Sequence, residues 1–314
     1  MRRYLTIAFL IVCAASFAQE KQVSRTFSGI KKIRMSTASG SCYVKKGSGT
    51  EVKVELKHTY SSGEYNPVIE QEGTTLIVKE EFERGSHSGH STWTLTLPDN
   101  MDMKFNTGSG NFDAENIALE GKLNLGSGDV DLRTLKGDLQ INTGSGGITL
   151  NGVSGESDSN TGSGSIELSK SEGEFGMNAG SGSIRLSEVK GILSANVGSG
   201  RIRAGDITLT GRGSFNSGSG DVTVALASAP NYNISVNSGS GDATLDFKGN
   251  KIDGTVIMTA NKRNGRIVAP FEFDKTEEID DEGNNVRIRK TKKFGNKDIE
   301  IRVSTGSGTA SITK

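Results

Sequence analysis

One tripeptide constrains this chain more than any other feature. Gly-Ser-Gly begins at residues 108, 126, 144, 162, 180 and 198, in steps of 18, and again at 218, 239 and 306. A fixed period of this kind marks a repeat architecture, in which each unit buries its apolar face only by stacking on its neighbours. A flexible glycine-serine linker would carry no apolar pattern, yet each corner here leads into one. With the first glycine as position 1, position 5 is Phe112, Val130, Ile148, Ile166, Ile184, Ile202, Val222 and Ala243. Position 7 is Ala114, Leu132, Leu150, Leu168, Leu186, Ala204, Val224 and Leu245. Position 6, between them, is Asp113, Asp131, Thr149, Glu167, Arg185, Arg203, Thr223 and Thr244. Apolar, polar, apolar is the alternation of a strand with one buried face.

A second strand precedes the corners, with Leu139 and Ile141, Phe175 and Met177, Leu193 and Ala195, Phe215, and Ile234 and Val236 as its inward set. Ser157 and Ser159 interrupt that set, so their rung is expected to have a weaker core. Two or three short strands per unit, each pairing in parallel with its copy one period later, predict an all-β fold. The expected form is a parallel β-solenoid (β-helix) of 18-residue rungs, right-handed. Eight rungs at ~4.8 Å give a rod roughly 38 Å long.

The residue two before each corner is Asn106, Asn124, Asn142, Asn160, Asn178, Asn196, Asn216 and Asn237. Asparagine tolerates left-handed backbone and carries both a donor and an acceptor amide. Stacked at strand spacing, such amides can bond along the axis, and the strict column predicts an inward ladder. The alternative is a set of surface turn residues. The corner glycines are expected to supply positive φ where coils pile closely.

The domain plan follows. Residues 1–18 have the form of a signal peptide: Arg2 and Arg3, an apolar run from Tyr4 to Ala15, then Ser16-Phe17-Ala18 before Gln19. Val12 before Cys13 argues against a lipoprotein anchor. Residues 19–104 form an N-terminal cap with irregular first rungs, and 105–249 the regular repeats. Residues 250–314 supply C-terminal rungs with a charged projecting loop near 274–298, and 299–314 are expected to make the last rung. Cys42 is then the lone cysteine, so no intrachain disulfide staples the fold. Lysine plus arginine balance aspartate plus glutamate at 37 each. No net basic field exists to hold nucleic acid, and no segment after residue 18 is apolar enough to span a membrane as a helix.

The stretches "FSGIKKIRMSTASGSCYVKKG", the recurrent "NTGSGxIxL" and the closing "IRVSTGSGTASI" resemble the adhesin-like family of bacterial β-strand-repeat proteins. That family is related to the auto-transporter-adhesin-like head domain. The resemblance covers most of the chain and implies an exported or surface-exposed β-solenoid. The family carries no catalytic motif, so it transfers no site residues.

A phosphate loop needs a following helix N-terminus, and every corner here precedes a strand. A calcium roll needs an aspartate at one place in each turn, but the residue after the corner includes Gly147 and Arg201. Isolated binding at Asp113, Asp129 and Asp131 competes with plain solvated charge. His87 and His90 lack a third metal ligand nearby in sequence. Trp93, Tyr60, Tyr65 and Tyr232 are the few aromatics that could stack on a sugar.

The sequence therefore predicts a non-enzymatic, adhesin-like binding or structural protein, at the cell surface, outside the cell or in the periplasm. No catalytic, cofactor-binding or metal residues are assigned, no cofactor is expected, and the eight asparagines are assigned a structural role. The partner is a surface ligand, protein or polysaccharide. The alternative is a polysaccharide-active β-helix enzyme, a lyase or hydrolase, since fold alone does not settle activity.

Overall fold

The structure, a computed structural model, describes residues 20–61, 63–85, 88–281 and 285–314. The signal segment with Cys13, and His87, lie outside the described residues. Every regular element described is a strand. They build a three-sided coil in which each rung pairs in parallel with the rungs on either side of it.

The first side holds the strand that follows each corner. Val130–Lys136, Ile148–Asn151, Ile166–Ser169 and Ile184–Ser187 stack in sequence. Their register sets Asp131 beside Thr149, Thr149 beside Glu167, and Glu167 beside Arg185. The second side holds the strand that precedes each corner, such as Leu139–Thr143, Ser154–Thr161, Glu172–Ala179 and Lys190–Val197. A short third side carries the buried column Ile117, Leu135, Val153, Ser171, Val189, Ile207 and Leu226. The strands Phe112–Leu125 and Ile202–Ser217 run without interruption from the first side through the third to the second. Two residues added near 209–213 are absorbed as a register shift, and those added after Leu226 form a loop over 227–233.

Positions 5 and 7 face inward, as the alternation predicts. Ile148, Leu150, Ile166 and Ile184 are fully buried and Leu168 nearly so. Each such side chain contributes about 1.5–3 kcal/mol by leaving water. The rung at Ser157 and Ser159 is less weakened than its sequence implies. The two hydroxyls bond each other at 3.2 Å, and the register sets Phe175 and Met177 beside them on one side, Leu139 and Ile141 on the other.

The corner glycines are required for close approach and not for positive φ. None of the Gly-Ser-Gly glycines has left-handed φ. Their need for glycine is close approach. A Cβ on Gly128, Gly146, Gly164, Gly182 or Gly200 would fall well inside contact distance of the backbone carbonyl oxygen of the matching glycine one rung earlier. The left-handed backbone lies at a different corner, where the first side meets the third. There Asn116, Thr134, Gly152, Lys170, Glu188 and Asp206 have φ between 49° and 68°, again in steps of 18.

Both ends are threaded out of order. At the N-terminal end, Lys32–Thr37 and Ser41–Lys46 form a rung lying between the earlier-stacked Thr75–Phe82 with Ser91–Leu97 and the later Met101–Thr107 with Phe112–Leu125. Antiparallel Val52–His58 and Lys21–Phe27 then cover one side of the end, and Tyr65–Glu72 the other. At the C-terminal end, Glu300–Thr305 and Thr309–Thr313 lie between Ile234–Ser238 with Ala243–Asp246 and Gly254–Asn261 with Arg266–Val268. Residues 299–314 are therefore the penultimate rung and not the last, because the outermost places were taken by 254–268. The charged stretch forms two strands, Lys275–Asp281 and Asn285–Phe294, and the second pairs antiparallel with Gly254–Asn261. Most of it thus extends the sheet at the C-terminal end.

Candidate functional site

The eight asparagines lie in the strands of the second side, each between two inward neighbours. Asn142, for example, sits between the buried Ile141 and Thr143. Their side chains point outward and are half-buried or, at Asn178, exposed. The expected inward placement is thus corrected: strand alternation, with Phe105, Leu123 and Ile141 inward, leaves only the outer face for the residue after them. None adopts left-handed backbone.

The amides bond along the axis. Nδ2 of each donates to Oδ1 of the one before: Asn124 to Asn106 at 3.0 Å, Asn142 to Asn124 at 3.1 Å and Asn160 to Asn142 at 3.1 Å. Asn178 to Asn160 follows at 2.9 Å, Asn196 to Asn178 at 3.0 Å, Asn216 to Asn196 at 2.9 Å and Asn237 to Asn216 at 2.7 Å. Ser304 Oγ closes the row by donating to Asn237 Oδ1. At the other end Asn106 stands in register with Ser36.

The residue after the asparagine locks the corner, a role sequence reasoning missed. Thr143 Oγ1 accepts from the Gly146 N–H at 3.0 Å and donates to the Gly128 carbonyl one rung earlier at 3.1 Å. Thr161, Ser217, Ser238 and Thr305 repeat both bonds. Leu125, Ala179 and Val197 lack the hydroxyl and fill the same buried place with carbon. The signal was present in the sequence as "NTGSG" against "NLGSG", "NAGSG" and "NVGSG". The serine at each corner tip, such as Ser145, Ser163, Ser181 and Ser199, is exposed. Asparagines 142–216 and the adjoining corner residues line an open groove of about 840 Å³.

Charged groups gather elsewhere. On the second side Asp102, Glu120, Asp138, Glu156 and Glu174 line one groove with Asp158, with Lys122 among them. On the first side Arg133 pairs with Asp131, and Asp129 Oδ1 accepts from the Gly147 N–H at 2.7 Å. Burial, then the Asp131 and Asp129 carboxylates, push the Asp113 pKa up, against the pull of Arg133. Arg185 Nη1 meets Glu167 Oε1 at 2.8 Å, an exposed pair of small energetic worth. Among the described residues no group of three or more His, Cys, Asp or Glu is placed to hold a metal ion. His90 Nδ1 instead lies 3.1 Å from Thr59 Oγ1. The Cys42 thiol is buried and its pKa is raised by that burial first and Asp113 second, which makes it a poor nucleophile.

Three of the four aromatics named from sequence are not available to a ligand. Trp93, Tyr60 and Tyr65 are buried in the N-terminal cap, and only Tyr232 is exposed. Glu80 organises that cap. Its Oε1 accepts from Trp93 Nε1 at 2.9 Å, Tyr65 Oη at 3.2 Å and Ser91 Oγ, and its Oε2 from the Ala38 N–H at 2.9 Å. Burial first, then Glu80, raises the Tyr65 pKa. Nothing in the sequence around Glu80 distinguishes it from Glu81.

Several solved structures match the chain, at low overall superposition. One, described as a candidate cell adhesion protein from Clostridium sporogenes, is 15% identical over 94% of this chain and 99% of its own, with a TM-score of 0.27. Another, described as a candidate adhesin from Parabacteroides distasonis, is 12% identical over 94% and 97%, with a TM-score of 0.41. A third, described in the same way and from Bacteroides fragilis, is 13% identical over 94% and 98%, with a TM-score of 0.33. No curated protein matches the sequence. No helix among the described residues is long and apolar enough to cross a membrane. The Toastrack DUF4097 family model matches residues 30–267, the greater part of the chain with its whole regular repeat, and the chain belongs to that family.

Proposed function

We propose that this is an exported, surface-exposed binding protein of the adhesin-like type, in which a right-handed coil of 18-residue rungs presents repeated side-chain columns to a ligand. The supporting observation is the unbroken row of outward amides from Asn106 to Asn237, with exposed serine hydroxyls at the corner tips beside it. A surface with the same groups at every rung offers many weak contacts to an extended partner, which is how a rigid rod attaches without a deep pocket. In this plan residues 1–18 direct export, 19–104 and 250–314 close the two ends, and 105–249 carry the contacts. Binding, not turnover, is the function.

The test has two parts. Protease shaving of intact cells should degrade the protein while a cytoplasmic marker survives, and labelled purified residues 19–314 should attach saturably to cell-surface material. A protein retained in the cytoplasm, or one that releases reducing ends from polysaccharide, would overturn this reading.

A further inference from the structure

The asparagine and corner-serine columns contain no charged residue over eight rungs, whereas the outward column of the first side carries Asp113, Asp131, Glu167, Arg185 and Arg203, and a groove on the second side gathers Asp, Glu and Lys. Within this neutral strip the hydrogen-bonding capacity is not exhausted. Each carboxamide has two N–H donors and two acceptor lone pairs, and the row along the axis uses one of each. At Asn196, Asn216 and Asn237 the amide nitrogen also donates to Ser194, Ser214 and Ser235. At Asn124, Asn142, Asn160 and Asn178 the structure gives the second N–H no protein partner among the described residues. These four lie on consecutive rungs.

The dimensions select the partner. Eight rungs at ~4.8 Å by a width of roughly 10 Å make about 380 Å², well below the ~800 Å² each partner buries in a standard protein interface. A second copy or a globular protein would be poorly held there. A single polymer chain fits. A sugar residue with its linkage is about as long as one rung, so successive hydroxyls can meet successive amides in step, whereas extended polypeptide advances ~3.3 Å per residue and falls out of step.

We propose that this corner binds one chain of an uncharged polysaccharide, laid parallel to the coil axis with about one sugar per rung, its hydroxyls bonding the outward asparagine amides and the corner serines. The proposal rests on the reading of the chain as a binding protein and names the ligand class of that surface. With hydrogen bonds and no aromatic platform, affinity per sugar is low and grows with chain length.

Titration calorimetry with tetraoses and hexaoses of β-1,4-glucan, β-1,4-mannan and α-1,4-glucan tests this. At least one should bind, and each step of two added sugars should tighten binding about tenfold, as expected for two hydrogen bonds near 0.7 kcal/mol apiece. Ser163→Lys with Ser181→Lys crowds the strip without touching the amide row and should weaken binding at least ~10-fold, the loss of about two such bonds. Glu167→Lys, on the first side, should leave it unchanged. Thermal melting establishes that each variant is folded. Binding that survives the paired lysines, or no binding by any hexaose, would overturn the proposal. If no hexaose binds while labelled protein still attaches to cells, the sugar inference falls and the binding reading stands. If neither occurs, both fall. A concentration-dependent dimer abolished by the lysines, without sugar binding, would assign the strip to a second copy instead.

Discussion

At the scale of single residues the amide row separates position from composition. Asn160 makes two axial bonds and Asn106 one. Because these groups are half-exposed, each bond is worth ~0.5–1.5 kcal/mol, without the full cost of stranding a buried group. Asn160→Ala should therefore cost about 1–2 kcal/mol and Asn106→Ala roughly half that, by urea denaturation. Equal small losses at both sites would reduce the row to a coincidence of turn chemistry. The column itself was legible in the sequence. Its direction was also legible, since Ile141 and Thr143 fix the parity of Asn142. The left-handed corner was less visible, because five different side-chain types occupy it. Thr134 is its least suited member, being β-branched at φ 52°. Left-handed backbone costs ~1–2 kcal/mol and glycine's extra chain entropy ~0.5–1. Thr134→Gly should raise stability by about 0.5–1 kcal/mol, seen as a higher melting temperature. His58 gives a pH effect. Burial first, then the Lys21 ammonium, lower its pKa, and Glu80 opposes them. Its ring stacks on Tyr60 and tilts against Tyr65. The unfolded chain therefore takes up the proton first. His58 stability is complete above the unfolded value of about 6.5 and is lost as pH falls toward the folded one. The urea midpoint of wild type relative to His58→Phe should fall between pH 7.5 and pH 5.5, and parallel curves for the two proteins would refute this.

At the scale of elements, the corner shows which contacts hold a rung in place. The threonine hydroxyl ties its own turn to the previous one, and the glycines let carbonyls stack where any Cβ would collide. Period and alternation made the central strands legible, because each rung there sees a near copy of itself above and below. The N-terminal strands obey the same local rules, and local pattern does not name a partner. Lys32–Thr37 alternates and Thr75–Phe82 buries Leu76, Ile77 and Val78 in succession, yet neither pattern shows which strand lies outermost. What distinguishes the cap is Glu80, which joins the strand Thr75–Phe82 to Tyr65, Ser91, Trp93 and the first corner at Ala38. Glu80→Ala strands the indole N–H of the fully buried Trp93 and the hydroxyl of Tyr65, each at ~1–3 kcal/mol. The expected loss is about 2–4 kcal/mol, concentrated at this end. Hydrogen exchange should therefore speed in residues 65–97 and stay slow in 139–197. Uniform acceleration along the rod would show that the cap is not a separate cooperative unit.

At the scale of the whole molecule, the two ends share one device. In each, a rung distant in sequence is slotted between two others, and antiparallel strands close what remains. The middle has no such constraint: between residues 108 and 198 every rung meets its neighbours through the same registers. The rod therefore has one place where its length is free to change and two where it is not. A gene that duplicates 54 bases within that span inserts one complete rung, in phase, leaving every existing pair but one intact. Adding residues at the C-terminus extends nothing, since Thr309–Thr313 lies inside the stack, between Ala243–Asp246 and Arg266–Val268. Repeating residues 144–161 in place should give a folded protein about 4.8 Å longer by small-angle scattering, with a melting temperature at least as high as the parent. An unfolded product would show that the rungs are less interchangeable than their registers imply. If the longer rod folds, the length of the molecule is a quantity that selection can set in whole-rung increments.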